Sequence, residues 1–277
     1  MLIRQLTTHG ESSIQHNSNM KDSESKGHVL DIAKQLGISV VEIPKSDLGK
    51  TPDFEFYCDD ECTLVELKSR ISAWDLTNEE IEILDNGGVI DRCRSIGPDN
   101  TVSGRITDAG KQLSKFQASR HTFRLLWYFT HGQFSDLTFD RVRATLLGDI
   151  KIFETNSERQ WRAYFFDHSQ FFRHRGVLDG AIVSSMTEKN HISAQLIMNP
   201  LSPRYKLFRC SKLAQKLSEC VLDPFTEENT LVLGEDAKRD SEQDKLDYLA
   251  LKHGINNPFI IRMGHMTAMM RSTNQNE

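Results

Sequence analysis

Thr51-Pro52-Asp53-Phe54-Glu55-Phe56-Tyr57-Cys58, the acidic turn Asp59-Asp60-Glu61, and Cys62-Thr63-Leu64-Val65-Glu66-Leu67-Lys68-Ser69-Arg70 are the stretch that decides the fold. Both outer segments are rich in Phe, Tyr, Val, Leu and Thr, which favour strands, and three consecutive carboxylates cannot continue a buried strand. The expected product is a β-hairpin. Side chains alternate across a strand, so Val65, Leu67 and Ser69 point one way while Leu64, Glu66 and Lys68 point the other.

That second face is apolar at one end and charged at the other. Charges on the inner part of a sheet cost several kcal/mol unless they are paired or bind a metal. Asp53 opens the partner strand after a proline that holds its approach extended. Normal hairpin pairing brings Asp53 and Glu66 toward one point with Lys68 beside them. Two carboxylates and a carbonyl form a hard, oxygen-rich site suited to Mg²⁺ or Mn²⁺. A solvated hairpin with an exposed Glu66–Lys68 pair would spell the same letters and contribute little.

Pro52-Asp53 and Glu66-Leu67-Lys68, carried on two adjacent strands, resemble the motif of the PD-(D/E)xK nuclease superfamily, the restriction-endonuclease-like fold. The resemblance covers roughly residues 28–131. It implies that Asp53, Glu66 and the Leu67 carbonyl hold a divalent metal, and that Asp53, Glu66 and Lys68 are catalytic, Lys68 orienting the attacking water. The expected order of elements, helix, three strands, helix, strand, matches the superfamily's common core. In that core the second helix lies near the cleaved phosphate, which makes Gln112 and Lys115 candidate substrate contacts. The RecB-like branch carries Gln-x-x-x-Tyr on this helix; here Gln112 is followed by Phe116. Some members add an acid from the first helix, for which Glu24 and Asp31 are the candidates.

Charge divides unevenly along the chain. The net charge is −5, made of 19 acids against 10 bases in residues 1–104, 7 against 12 in residues 105–175, and 13 against 12 in residues 176–277. An acidic part holding a metal site followed by a basic stretch is compatible with a phosphodiester substrate. Arg159 to Phe166 mixes arginine with aromatics, so Arg162 is a further candidate for phosphate contact or base stacking. Snorkelling arginines on an ordinary core give the same composition.

No apolar run is long enough to span a bilayer, and the first residues lack the pattern of a signal peptide, so no membrane partner is expected. Five cysteines, odd in number, fit a reducing cytoplasm. Cys58 and Cys62 are expected to face each other across the turn as buried free thiols.

Outside the hairpin, residues 1–25 are expected as a loose leader. A helix should cover Val29 to Leu36 and end at Gly37, with a strand from Ile38 to Ile43. Residues 71–106 read as a long connection holding one short acidic helix from Asn78 to Leu84. A helix should start at Thr107-Asp108, followed by a buried strand from Arg124 to His131. The second half predicts a helix from Phe139 to Leu147 and a strand from Ile150 to Phe153. A strand pair should run from Val177 to Ser184 and Ile192 to Met198, and helices from Leu213 to Val221 and Asp244 to Lys252. The acidic run from Glu227 to Asp247 reads as an exposed connector, and His168 and His174 as surface or nucleic-acid contacts.

The reading is an α/β protein. It has a restriction-endonuclease-like core (a central mixed sheet flanked by helices) over residues 26–135, and an α+β C-terminal extension over residues 136–277 packed on that core. The function implied by the resemblance is Mg²⁺- or Mn²⁺-dependent hydrolysis of phosphodiester bonds, with DNA the favoured substrate, in restriction, anti-phage defence or repair. The competing reading is a catalytically inactive module of the same fold that binds nucleic acid or a protein partner. The C-terminal half is the place expected for a homodimer contact or protein partner.

Overall fold

In the computed structural model, which describes residues 4–7, 22–45, 50–71, 78–95, 97–116, 120–132, 135–187, 191–261 and 265–271, the chain starts with strand β1 (Arg4–Thr7) and helix α1 (Asp22–Gln35). Part of the expected leader is therefore ordered structure: β1 pairs with a later strand, and α1 begins before residue 26. β2 (Ser39–Glu42) follows, and β3 (Phe54–Cys58) and β4 (Glu61–Ile71) form the expected antiparallel hairpin, with Phe54 opposite Val65 and Tyr57 opposite Cys62.

Residues 72–77 lie outside the described ones, but the rest of the expected connection carries α2 (Asn78–Asp85) and β5 (Val89–Ser95). Next come α3 (Asn100–Lys115) and β6 (Phe123–His131). α3 starts seven residues before the expected Thr107, because the extended Asp99 accepts the Val102 N–H at 2.9 Å and caps the helix. Its inner face is Val102, Ile106, Ala109, Gly110 and Leu113, all buried. Gly110 is needed there, since a Cβ would lie 2.9 Å from His174 Nδ1.

The second half continues with α4 (Ser135–Leu147), ended by Gly148 at φ +56°, then β7 (Ile150–Glu154) and β8 (Gln160–Tyr164). After the short α5 (Gln170–Arg173) come β9 (Gly180–Met186) and β10 (His191–Met198). α6 (Tyr205–Arg209), α7 (Lys212–Lys216), β11 (Val221–Leu222), β12 (Thr230–Val232), α8 (Glu242–His253), β13 (Pro258–Ile260) and β14 (His265–Arg271) complete the described chain. The expected Leu213–Val221 helix is shorter, passing through a 3₁₀ turn into β11. The acidic run is not a bare connector, for it holds β12 and the first turns of α8, and Glu227 accepts the Tyr164 hydroxyl at 2.5 Å.

The architecture is α/β, built on a large mixed sheet ordered β1-β10-β9-β6-β4-β3-β2, with β11 beside β10. β4, β6 and β9 run parallel, while the hairpin and both ends of the sheet are antiparallel. Parallel neighbours need a crossover, and α3 supplies it between β4 and β6. It lies on the face of Leu64, Leu126, Tyr128 and Val183, shared with α4 and the smaller sheet β12-β8-β7-β13. The opposite face, with Val65, Leu67, Leu125, Trp127 and Phe129, is covered by α1, α6 and α7. β9 and β10 come from the second half of the chain and complete the main sheet, so position 135 is no break in it. β14 pairs with β5 in a separate ribbon. Among the described residues no helix is long and apolar enough to cross a membrane.

The Cys58–Cys62 expectation is corrected by the register. Cys58 stands opposite Glu61 and Cys62 opposite Tyr57, so the two thiols project to different faces; both are buried and free.

Candidate functional site

The register that pairs Phe54 with Val65 sets Asp53 against Glu66, one residue further along each strand. β3 has ended as a strand at that point. The Asp53 side chain takes over the next rung, its Oδ2 accepting the Leu67 N–H at 3.0 Å, while its carbonyl accepts the Ile43 N–H at 2.9 Å. A short carboxylate after a proline is thus locked to two strands. The N–H and C=O of one strand residue face the same side, so the Leu67 carbonyl also looks toward the Asp53 end of the hairpin.

Glu66 is 1 % exposed. Its Oε1 accepts from Lys68 Nζ at 2.5 Å, and its buried Oε2 has no hydrogen-bond partner among the described residues. Burial is the main force raising its pKa; Lys68 pulls it back, and the neighbouring Asp53 carboxylate pushes it further up, to about 7. Asp53 acts by its charge and by accepting a hydrogen bond from Glu66 when Glu66 is protonated, so Oε2 is unpartnered in the ionised form. Lys68 Nζ also donates to Gln112 Oε1 at 3.0 Å, and Gln112 Nε2 donates to the Thr51 carbonyl at 3.4 Å. The helix α3 therefore positions the lysine and ties it to the chain entering β3.

These groups open into a cleft of about 670 Å³. Arg105, Asp108 and Gln112 line it from α3 at helical spacing, and the Arg105 guanidinium donates to the Ser69 carbonyl. Lys45 and Lys50 stand on the segment entering β3. With Lys26 and Lys68, five cationic side chains face three carboxylates, Asp53, Glu66 and Asp108. The charged side chains lining the cleft are net positive.

Asp53, Glu66, Leu67, Lys68 and Gln112 thus come together. Lys115 does not line this cleft; it is exposed at the end of α3. Arg162 lies on β8 in the smaller sheet with its guanidinium 3.6 Å from Asp149, away from the cleft, because an arginine on a half-buried strand finds the nearest carboxylate. Of the first-helix acids, Glu24 and Asp31 are exposed and neither lines the cleft. His174 packs on Gly110, and His168 is exposed.

Sequence reasoning missed Lys45, Lys50, Arg105 and Asp108 in the cleft, and above all Lys26 of α1. Its Nζ stands 2.7 Å from Asp53 Oδ1 and 5.3 Å from the centre of the Phe54 ring. The only signal for it lay in helical spacing: Lys26 is three residues before Val29, which is fully buried under the sheet.

A second polar cluster lies on the same face of the hairpin. Glu55, Cys62 and His121 bring ligand atoms within 4.8 Å of one another, a set that can in principle hold a metal. Glu55 is already saturated. It accepts Tyr57 Oη at 2.7 Å, Arg120 Nε at 2.9 Å and His121 Nε2 at 2.6 Å. Burial alone would raise its pKa, but those three partners outweigh burial and hold the carboxyl at about 2.

Fold and cleft together define an α/β protein with a paired-carboxylate and lysine site at the end of a hairpin. No protein-family model, curated protein or solved structure matches the chain.

Proposed function

We propose that the chain is a divalent-metal-dependent phosphodiesterase of the PD-(D/E)xK kind, with DNA its favoured substrate. One observation carries the reading: a fully buried glutamate is left with an unpartnered oxygen beside a second carboxylate. Buried carboxylates are otherwise hydrogen-bonded, and an orphan oxygen beside Asp53 is what a missing cation would leave. The donors fit the group, since Asp53, Glu66 and the Leu67 carbonyl are hard oxygens suited to Mg²⁺ or Mn²⁺. The order α1, β2 to β4, α3 and parallel β6 supports a restriction-endonuclease-like core.

A divalent cation bound there supplies Lewis acidity toward a phosphoryl oxygen and makes water more acidic. The chain's own groups do the rest. Lys68, held by Glu66 and Gln112, keeps an ammonium aimed into the cleft, where it orients water and offsets negative charge building on the phosphate. Lys45, Lys50 and Arg105 line the cleft with positive charge for the flanking phosphates.

The catalytically inactive module is favoured by one observation, the Lys26 ammonium on Asp53, which balances the site's charge without a metal. A cleavage panel of linear, circular and single-stranded DNA and RNA, with Mg²⁺, Mn²⁺ or EDTA, separates the two. Metal-dependent cleavage that disappears in folded Glu66→Gln and Lys68→Ala is the expected result. Full cleavage by either variant, or none by wild type on the whole panel, defeats the proposal.

A further inference from the structure

Each carboxylate of the site has its own lysine, and the two lysines are held differently. Lys68 is fixed between Glu66 at 2.5 Å and Gln112 at 3.0 Å. Lys26 reaches Asp53 from another element, α1, on a flexible four-carbon stem. α1 itself is anchored, with Val29, Ile32 and Ala33 fully buried. The helix thus delivers the ammonium to Asp53, and the four-carbon stem is long enough to carry it to a second partner. Asp53 Oδ2 is committed to the Leu67 N–H, so Oδ1, where Lys26 sits, is the oxygen left for any other cation.

We infer that Lys26 is the resident counter-ion of Asp53, displaced when a divalent cation enters, and that its freed ammonium then pairs with a phosphate of the substrate. An ammonium 2.7 Å from a carboxylate oxygen and a dication on that same carboxylate repel each other, so the lysine must leave. Lys26 lines the cleft beside four other cations, Lys45, Lys50, Lys68 and Arg105, and an incoming phosphate is what makes a new position there favourable. Metal and phosphate therefore promote each other's binding, by the same factor in both directions. In the metal-free protein Asp53 and Glu66 each keep a lysine, which also suppresses capture of a metal in the absence of substrate. This inference rests on the phosphodiesterase reading and adds to it a residue and an order of events.

The test is Mn²⁺ titration by calorimetry on wild type, Lys26→Met, Lys26→Gln, Lys26→Arg and Asp53→Asn. Each is measured alone and with a short phosphorothioate DNA duplex that resists cleavage. Removing one charged hydrogen bond that competes with the metal should tighten Mn²⁺ alone about tenfold in Lys26→Met and Lys26→Gln. The duplex should raise Mn²⁺ affinity in wild type and Lys26→Arg, and do so far less in Lys26→Met. An Asp53-dependent Mn²⁺ site of equal or lower affinity in Lys26→Met and Lys26→Gln overturns the role of Lys26 while leaving the phosphodiesterase reading standing. Absence of any Asp53-dependent Mn²⁺ site, in wild type and Lys26 variants alike, overturns both.

Discussion

Glu55 and Glu66 are the same residue type on the same face of the same hairpin, and the protein treats them in opposite ways. Glu55 stands opposite Leu64, and Glu66 lies two residues beyond Leu64 on that strand. Both are buried, at 3 % and 1 % exposure. Glu55 is surrounded by a phenol, a guanidinium and an imidazole, and its carboxyl is held at about 2. Glu66 has one lysine, a neighbouring carboxylate and an orphan oxygen, and it is pushed up to about 7. The fold can therefore satisfy a buried carboxylate on this surface. That it leaves the other one short points to a task that needs an unsatisfied oxygen. Glu55 reads as a clamp joining the hairpin to the start of β6, and Glu66 as a group kept ready.

The largest expected contrast is in catalysis. Glu66→Gln should lower single-turnover cleavage by about a thousandfold or more, the scale of losing a group that stabilises transition-state charge, while Glu55→Gln stays within about tenfold of wild type. Equal losses in the two variants would erase the distinction.

Stability should invert the pair. Glu55→Ala takes the acceptor from the buried His121, and from the more exposed Tyr57 and Arg120, and should cost roughly 1–3 kcal/mol in urea unfolding, as for one buried polar group left unpaired. Glu66→Gln removes a buried group under strain and should leave the metal-free protein at least as stable as wild type. A destabilised Glu66→Gln would mean that Glu66, too, is a clamp.

Between its ordinary value of 4.5 and about 7, folded Glu66 keeps a proton that the unfolded chain has released. Stability in EDTA should therefore fall as pH rises through that window. The penalty is absent below 4.5, complete above 7 and roughly 2–4 kcal/mol in size. Glu55 runs the other way: its contribution is present above 4.5 and is lost as pH falls toward 2. Urea unfolding across this range should lose the upper slope in Glu66→Gln and the lower one in Glu55→Gln. A wild-type profile flat from pH 5 to pH 7.5 counts against the environment described for Glu66.

The smallest effect concerns substrate binding outside the pair. Lys50→Ala, in the cleft, should flatten the logarithmic salt dependence of DNA binding by about one unit, as for one lost phosphate contact. Arg162→Ala should leave it unchanged, because that guanidinium is engaged by Asp149 on the smaller sheet. A flattened slope in Arg162→Ala would extend the binding surface well beyond the cleft.

Features that depend on neighbours along the chain were legible in the residues alone. The acidic turn and the strand-forming flanks set the hairpin, and the two-residue alternation of a strand put Leu64, Glu66 and Lys68 on one face. A helix ahead of β6 was legible in the same way, although the cap at Asp99 set its start earlier than Thr107. Which charges meet depended on the long-range fold. It brought Lys26 onto Asp53, Gln112 onto Lys68 and Arg120 onto Glu55, the last pair 65 residues apart, and it left Arg162 on a different sheet. The reason is physical: side-chain alternation follows from backbone geometry and is written locally. A buried charge takes whichever partner the folded chain brings within a few Å, and no local pattern of residues specifies that partner.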